Sequence, residues 1–176
     1  MSSQGNKAMI EIGYALSSEA HAPNDVIRYM QLAEEAGFAF ASLADHSHPW
    51  VEQQGQSPFI WSIIGGIAHA TQRLPLVIAM TSPTTRMHLS VTAQAVATVA
   101  AMMPGRCSLS LETGEYLSER LGRRYGHMAQ GRLEMLEEAV QVIRLLWRGG
   151  MQSHWGRHYS IENVQIYPPQ KSGRRS

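Results

Sequence analysis

A short apolar run followed by a longer helical pattern occurs four times along the chain, and this rhythm constrains the fold more than any other feature. The apolar runs cover residues 10–16, 38–44, 74–80 and 107–111. The segments between them carry apolar residues three or four positions apart, which is the spacing of amphipathic helices. Alternating strands and helices predict a parallel sheet covered by helices. Because the strands are nearly all apolar, we expect both of their faces to be buried.

Helix boundaries are predicted from the residues that begin and end helices. Asn24 or Asp25 is expected to cap a first helix that stops at Gly37, and Pro58 is expected to open a second helix. A third helix is expected over about 90–103, before a Pro-Gly pair. The fourth helix is expected to bury one apolar stripe, formed by Leu133, Leu136, Val140, Ile143 and Trp147.

Four strand–helix units match half of a (β/α)8 barrel, whose full form has about 250 residues. An open doubly wound sheet is the alternative, although no G-x-G-x-x-G motif follows the first strand. Beyond the fourth helix, the pattern predicts a small β-hairpin or two short strands. We therefore expect an α/β fold, a partial TIM (β/α)8 barrel of about four βα units plus a C-terminal β-hairpin. It would occupy 1–167, and 168–176 would be a disordered polar tail.

Composition argues against several classes of protein. Lys and Arg number 15 against 14 Asp and Glu, and the basic residues are scattered, so no nucleic-acid partner is indicated. The single cysteine, Cys107, cannot form an intrachain disulfide. The start of the chain lacks the pattern of a signal peptide, and no apolar stretch is long enough to span a bilayer. We expect a cytoplasmic protein with no membrane partner.

Polar residues follow three of the apolar runs directly. They occupy 45–50 after the second run, 81–86 after the third and 112–119 after the fourth. The segment after the first run, 17–21, is less distinctive. Functional groups of parallel α/β folds lie at the carboxyl ends of strands, so these segments predict a site at one end of the sheet.

His46 is the leading candidate in those segments, because an imidazole titrates near neutral pH and can transfer protons. It follows an apolar strand and has Asp45 as its neighbour. Two other interpretations stay open: an ordinary loop histidine, and a metal site made by Asp45, His46 and His48. Glu115 is either a buried acid near a ligand or a glutamate stabilised by the dipole of the following helix.

The motifs together resemble one family. Residues 44–50, Ala-Asp-His-Ser-His-Pro-Trp, are similar to its S-D-H-x-x-P-W segment, and 113–119 are similar to T-G-E-x-L-N-E. Further matching segments lie within 57–74, 82–106, 132–138 and 145–149. Any one of these motifs is a weak indication of the family, but six of them in the right order are specific. The chain resembles the N-terminal half of the coenzyme F420-dependent oxidoreductase branch of the luciferase-like monooxygenase superfamily, which includes F420-dependent glucose-6-phosphate dehydrogenases.

The resemblance implies hydride transfer between a substrate carbinol and the deazaflavin ring of coenzyme F420. It implies His46, Glu115 and Trp50 as the catalytic residues, with His46 and Glu115 as acid and base and Trp50 as a wall of the site. It also places a cis peptide bulge at Ala79-Met80, behind the ring. The coenzyme contacts it implies are Asp45, Ala79, Met80, Ser82, Thr113, Gly114 and Ser118.

In a complete barrel of this family, the phosphate-binding loops lie in the second half. We therefore expect the lone chain to be incomplete and to associate as a homodimer or with a complementing half-barrel chain. Its open sheet edges would favour such pairing. Two alternatives remain: a truncated, non-enzymatic remnant or self-associating half barrel, and an FMN-dependent luciferase-like monooxygenase.

Overall fold

A parallel four-stranded sheet forms the centre of the molecule. The computed structural model describes residues 10–83, 86–114 and 129–167. The strands lie side by side in chain order, and each pairs in parallel with the next. This is the strand order of a (β/α)8 barrel. In a doubly wound sheet the strands are also parallel, but their order reverses near the centre of the sheet. The strands are β1 (Gly13–Leu16), β2 (Phe40–Ala44), β3 (Leu76–Thr81) and β4 (Cys107–Leu111).

Helices connect the strands and continue beyond the last of them. A single 3-10 turn, Glu52–Gln54, lies between β2 and the second helix. The structure therefore has four βα units, as predicted. No helix within the described ranges is both long and apolar enough to cross a membrane. The helices are α1 (Pro23–Ala36), α2 (Ile60–Ala70), α3 (Leu89–Met102) and α4 (Ala129–Trp147).

Several predicted boundaries were wrong by one to three residues. Helix α1 begins at Pro23, and its N-cap is Ala22, which makes no side-chain cap, rather than Asn24 or Asp25. Proline suits the first position of a helix because its missing N–H has no partner there. Helix α2 begins at Ile60, two residues after Pro58. The end of α1 was predicted correctly, since Gly37 adopts the left-handed conformation with φ of 80°.

The core lies on the helix side of the sheet. Residues alternate along β2, so Ala41 and Leu43 are buried whereas Ser42 and Ala44 on the other face are partly open. In β4, Ser108 is exposed. The expectation that both faces are buried is therefore wrong for this chain. The main cluster joins the buried strand residues to those of α1 and α2, and it includes Met30, Leu43, Ile64, Ile67, Leu76 and Ile78.

Helix α4 packs with α3 and with a two-stranded antiparallel sheet, β5 (Gln152–Trp155) and β6 (Ser160–Val164). The predicted hairpin is thus confirmed. The predicted apolar stripe of α4 was displaced: Ile143 is buried, but Leu133 is exposed. The residues of α4 that are buried are Met135, Ala139, Val142, Ile143 and Leu146.

Two carboxylates, away from the carboxyl ends of the strands, connect a helix to another segment of the chain through hydrogen bonds. Glu34 accepts hydrogen bonds from the backbone N–H groups of Gln72, Arg73 and Leu74, at 3.1, 2.7 and 2.7 Å. These bonds outweigh the effect of burial and lower the pKa of Glu34. Glu138 plays the same part for the hairpin, where it accepts two backbone N–H groups. Both carboxylates stabilise the fold rather than a site, because neither lies at the carboxyl end of a strand.

Candidate functional site

The described parts of the predicted polar segments meet at one end of the sheet. The carboxyl ends of parallel strands lie along the same edge, and the backbone joins them there. Asp45 N donates to the carbonyl of Ala79, and Glu112 N donates to the carbonyl of Thr81, at 2.9 and 3.1 Å. We call this edge the mouth. It is formed by the residues directly after each strand, 17–19, 45–50, 82–83 and 112–114.

A glutamate–histidine pair stands at the centre of the mouth. His46 Nδ1 lies 2.5 Å from Glu19 Oε1, and the two side chains are 12% and 7% exposed. Burial alone would raise the pKa of Glu19, but the hydrogen bond and the charge of His46, with a bond from the Ser17 hydroxyl, lower it. Glu19 is therefore ionised at neutral pH. It fixes the orientation of the imidazole and faces any positive charge that the ring gains.

The loop after β2 folds over this pair. The ring of Trp50 meets that of His46 edge-on, with 5.2 Å between the centroids, and half of Trp50 is exposed. The Ser57 hydroxyl donates to the carbonyl of His46 at 3.0 Å. Gln56 N donates to the carbonyl of Glu19, also at 3.0 Å. His46 is thus contacted at both its ring and its backbone, and its Nε2 atom is buried.

Asp45 belongs to the mouth by its position in the chain, but its side chain is enclosed. Its side chain is 2% exposed and forms an ion pair with Arg86. Burial raises the pKa of Asp45 above its usual value, although the charge of Arg86 acts in the opposite direction. The predicted contact of Asp45 with the coenzyme stays a prediction.

The end of β3 is irregular at the predicted bulge. Met80 has φ of 57°, in the left-handed region that residues other than glycine rarely adopt. The register between β3 and β4 shifts between Ile78 and Thr81. Such backbone costs on the order of 1–3 kcal/mol and occurs preferentially at functional sites. The cis peptide at Ala79-Met80 stays a prediction.

The remaining predicted residues are divided between described and undescribed parts of the chain. Ser82, Thr113 and Gly114 all lie at the mouth and are partly exposed, and Gly114 has φ of 84°. Glu115 and Ser118 fall outside the described residues, so their predicted roles stay predictions.

The structure does not place the three residues of the metal alternative as a ligand set. Asp45 is buried against Arg86, His46 is paired with Glu19, and His48 is exposed. In the described part of the chain, no group of three or more His, Cys, Asp or Glu residues is arranged to hold a metal ion.

Sequence reasoning missed Glu19 and Arg86. Both residues occupy positions that could have been noticed in the sequence: Glu19 follows the first strand by three residues, and Arg86 lies after the third strand. A carboxylate after one strand and an imidazole after the adjacent strand are brought together by parallel pairing of β1 with β2. Neither residue belongs to a motif that stands out by itself. Each is identified by its partner, and that partner lies in another loop.

Fold and site together define a (β/α)-barrel protein with its polar groups at the carboxyl ends of the strands, the position of active sites in such barrels. A sequence model of the luciferase-like monooxygenase family matches residues 5–174. The chain therefore belongs to the luciferase-like monooxygenase family.

Relatives within the family point to one branch. An F420-dependent glucose-6-phosphate dehydrogenase of Microbacterium testaceum (strain StLB037) is 37% identical over 165 residues, which are 92% of this chain and 49% of that protein. The enzyme of the same name from Mycolicibacterium fortuitum is 34% identical, over 94% of this chain and 50% of that protein. The chain spans about half the length of the curated relatives it matches.

A solved structure described as an F420-dependent secondary alcohol dehydrogenase in complex with an F420-acetone adduct also matches this fold. The TM-score is 0.84 at 29% identity, over 89% of this chain and 48% of that one. The F420-dependent tetrahydromethanopterin reductase of Methanopyrus kandleri shares the fold, with a TM-score of 0.73 at 19% identity. Both comparisons place the four βα units in half of a larger barrel.

Proposed function

We propose that this chain carries the proton-transfer site of an F420-dependent oxidoreductase, which moves a hydride between a substrate carbinol and the deazaflavin ring. The observation that carries the proposal is the Glu19–His46 pair under Trp50, at the mouth where the strand ends meet. The names of the relatives support the choice of coenzyme and of a small hydroxylated substrate.

The surface beside the pair suits a flat ring. Ser42, Ala44 and Ala79 project from the sheet face opposite the core, since the buried residues of β2 and β3 point the other way. Ala44 and Ala79 are paired across β2 and β3, directly below the mouth. Small side chains leave room for a planar group, and the half-exposed Trp50 supplies an aromatic wall. The residues present therefore fit a bound deazaflavin.

The proposed chemistry divides between coenzyme and protein. Coenzyme F420, when bound, supplies the hydride acceptor. The carbinol carbon loses its hydride and the hydroxyl loses its proton, so that a carbonyl product forms. We assign the proton to His46, because general acid–base catalysis needs a group that titrates near neutral pH. The ionised Glu19 stabilises the positive charge that the imidazole then carries.

Other residues take supporting roles in this proposal. Trp50 shields the reacting atoms from water, and Glu115 is the second acid or base. Ala79, Met80, Ser82, Thr113, Gly114 and Ser118 contact the coenzyme. Asp45, whose enclosed carboxylate is paired with Arg86, supports the neighbouring His46 rather than touching the ligand. The incomplete sheet is closed by a second copy of the chain or by a complementing half barrel.

Titration with coenzyme F420, followed by its fluorescence, tests the proposal. We expect saturable binding in the micromolar range, and turnover of a carbinol substrate that is lost in His46→Asn. His69→Asn is the matched control, since His69 is an exposed histidine at the end of α2. No fluorescence change at high micromolar coenzyme would overturn the proposal. Flavin absorbance in the purified protein would instead favour the FMN-dependent alternative, and light scattering reports whether the chain self-associates.

A further inference from the structure

Arg86 contacts the peptide bond that leads into His46. Its Nη1 nitrogen binds the carboxylate of Asp45 and also the backbone carbonyl of Asp45, at 3.2 Å from the latter. That carbonyl belongs to the peptide bond between Asp45 and His46. One guanidinium nitrogen therefore fixes both the side chain and the backbone of the residue before the histidine.

The peptide bond that follows His46 is held in a similar way. Ser57 donates its hydroxyl to the carbonyl of His46 at 3.0 Å. The imidazole itself is held by Glu19 through Nδ1. His46 is thus restrained at three points, and each restraint comes from a different part of the chain around the mouth. Arg86 supplies the restraint from the loop after β3.

The surroundings of Arg86 keep its side chain in place. The guanidinium lies 5.8 Å from the centre of the Phe59 ring, a distance at which a cation is attracted to an aromatic face. It is 22% exposed, whereas the Asp45 side chain is nearly enclosed. Loss of the arginine would leave a buried carboxylate without its counter-charge, and such a group either takes up a proton or draws in water.

We propose that Arg86 is a positioning residue for His46, coupling the loop after β3 to the loop after β2 through Asp45. The inference rests on the proposed function, in which His46 transfers the substrate proton. Its consequence is specific: removal of Arg86 disturbs the orientation of the imidazole and lowers the rate of the chemical step. Binding of coenzyme and substrate changes little, because Arg86 contacts other residues of the protein.

Four variants test the coupling. Arg86→Gln removes the charge, Arg86→Lys keeps the charge but loses the planar fork, and Asp45→Asn removes the partner. The fourth combines Arg86→Gln with Asp45→Asn. Arg28→Gln, at an exposed position of α1, is the matched control. We expect kcat to fall at least tenfold in Arg86→Gln with KM and F420 affinity within twofold of wild type, and Arg86→Lys to recover part of the loss. The double variant should be no worse than the poorer single variant, because both changes break one contact.

Nitrogen NMR of the His46 ring in the uncomplexed chain gives a readout that does not depend on activity. We expect the ring resonances and their pH titration to change in Arg86→Gln and Asp45→Asn, and to stay as in wild type in Arg28→Gln. Unchanged ring resonances in both site variants would overturn the inference. A raised KM with unchanged kcat would also overturn it, since Arg86 would then bind a ligand.

The two proposals can fail separately. If His46→Asn leaves turnover unchanged, the proposed function is wrong, whatever happens at Arg86. If His46→Asn abolishes turnover while Arg86→Gln changes neither turnover nor the ring resonances, only the positioning role is wrong. Should Arg86→Gln fail to fold, Arg86→Lys and Asp45→Asn carry the NMR test, and unchanged resonances in both overturn the positioning role.

Discussion

The two shortest glutamate–histidine contacts among the described residues lie in different surroundings. At the mouth, Glu19 and His46 belong to loops after adjacent parallel strands, and Trp50 covers the ring. On the hairpin, His154 Nε2 lies 3.0 Å from Glu138 Oε1, with side chains 23% and 12% exposed. A local contact between a carboxylate and an imidazole therefore does not define a role.

The carboxylates differ in what else they bind. Glu138 accepts the backbone N–H groups of His158 and Tyr159, both at 3.0 Å, so it ties the turn between β5 and β6 to α4. Glu19 accepts side-chain groups, the imidazole of His46 and the Ser17 hydroxyl. A carboxylate committed to backbone amides stabilises a fold. One whose long-range contact is an imidazole at the strand ends can orient a reacting group.

The largest expected difference between the pairs is in catalysis. His46→Asn should reduce F420-linked turnover by about 10²–10⁴-fold, the usual contribution of a general acid–base group. His154→Asn should leave turnover within about twofold, because it changes only the hairpin. Steady-state rates with a carbinol substrate measure both. Equal losses in the two variants would abolish the distinction between the two pairs.

The effect on the free energy of unfolding should be larger for the hairpin pair than for the pair at the mouth. Glu138→Ala leaves two backbone N–H groups and His154 without their acceptor, which should cost about 2 kcal/mol of unfolding free energy. Glu19→Ala should cost less, since it strands no backbone amide of another segment. Urea unfolding followed by circular dichroism gives both values, and a larger loss in Glu19→Ala would contradict the comparison.

Gly156→Ala is an independent test of the hairpin contact. A Cβ at Gly156 would fall 1.8 Å from Glu138 Oε1 and 2.5 Å from His154 Nε2, so the carboxylate has to move. We expect a loss of stability comparable to that of Glu138→Ala. Wild-type stability in Gly156→Ala would mean that the hairpin does not depend on this carboxylate.

Chemical modification of His46 should distinguish Trp50 from the tryptophan of the hairpin, with a smaller effect. Diethyl pyrocarbonate acylates exposed imidazole nitrogen, and the Nε2 atom of His46 is buried next to Trp50. Trp50→Ala should speed acylation of His46 several-fold, as measured by mass spectrometry of the peptides. Trp155→Ala, at the exposed tryptophan of the hairpin, should not affect His46. An unchanged rate in Trp50→Ala would show that this ring does not shield the histidine.

The smallest effect concerns acid stability. The pKa of Glu138 is lowered because hydrogen bonds from His154, Tyr159 and His158 outweigh burial, and the pKa of Glu19 is lowered for the analogous reason. A carboxyl group with a lowered folded-state pKa stabilises the fold above its unfolded value, near 4.5, and loses that contribution as pH falls. Glu138→Gln and Glu19→Gln should each flatten the decline in stability below about pH 5. Unfolding midpoints at about pH 7, 5 and 4 measure the slopes, and slopes equal to that of wild type would contradict the lowered pKa values.

The sequence by itself determined the order and type of the elements and the edge at which the site would lie. The repeated apolar runs, the stop at Gly37 and the Pro-Gly pair after α3 act through local propensity, which does not depend on the rest of the fold. The position of His46 also follows locally, because it comes directly after a buried strand. The start of α1 was missed because three neighbouring residues, Pro23, Asn24 and Asp25, are all suited to a helix start.

Only the tertiary structure decided which side chains meet. Glu19 and His46 are 27 residues apart, and Asp45 and Arg86 are 41 residues apart. These contacts exist because parallel pairing places the ends of β1, β2 and β3 side by side, a long-range effect that periodicity along the chain does not carry. The same reason explains the ion pair of Asp45: its partner Arg86 comes from the loop after the next strand, and the residues around Asp45 in the sequence do not indicate it.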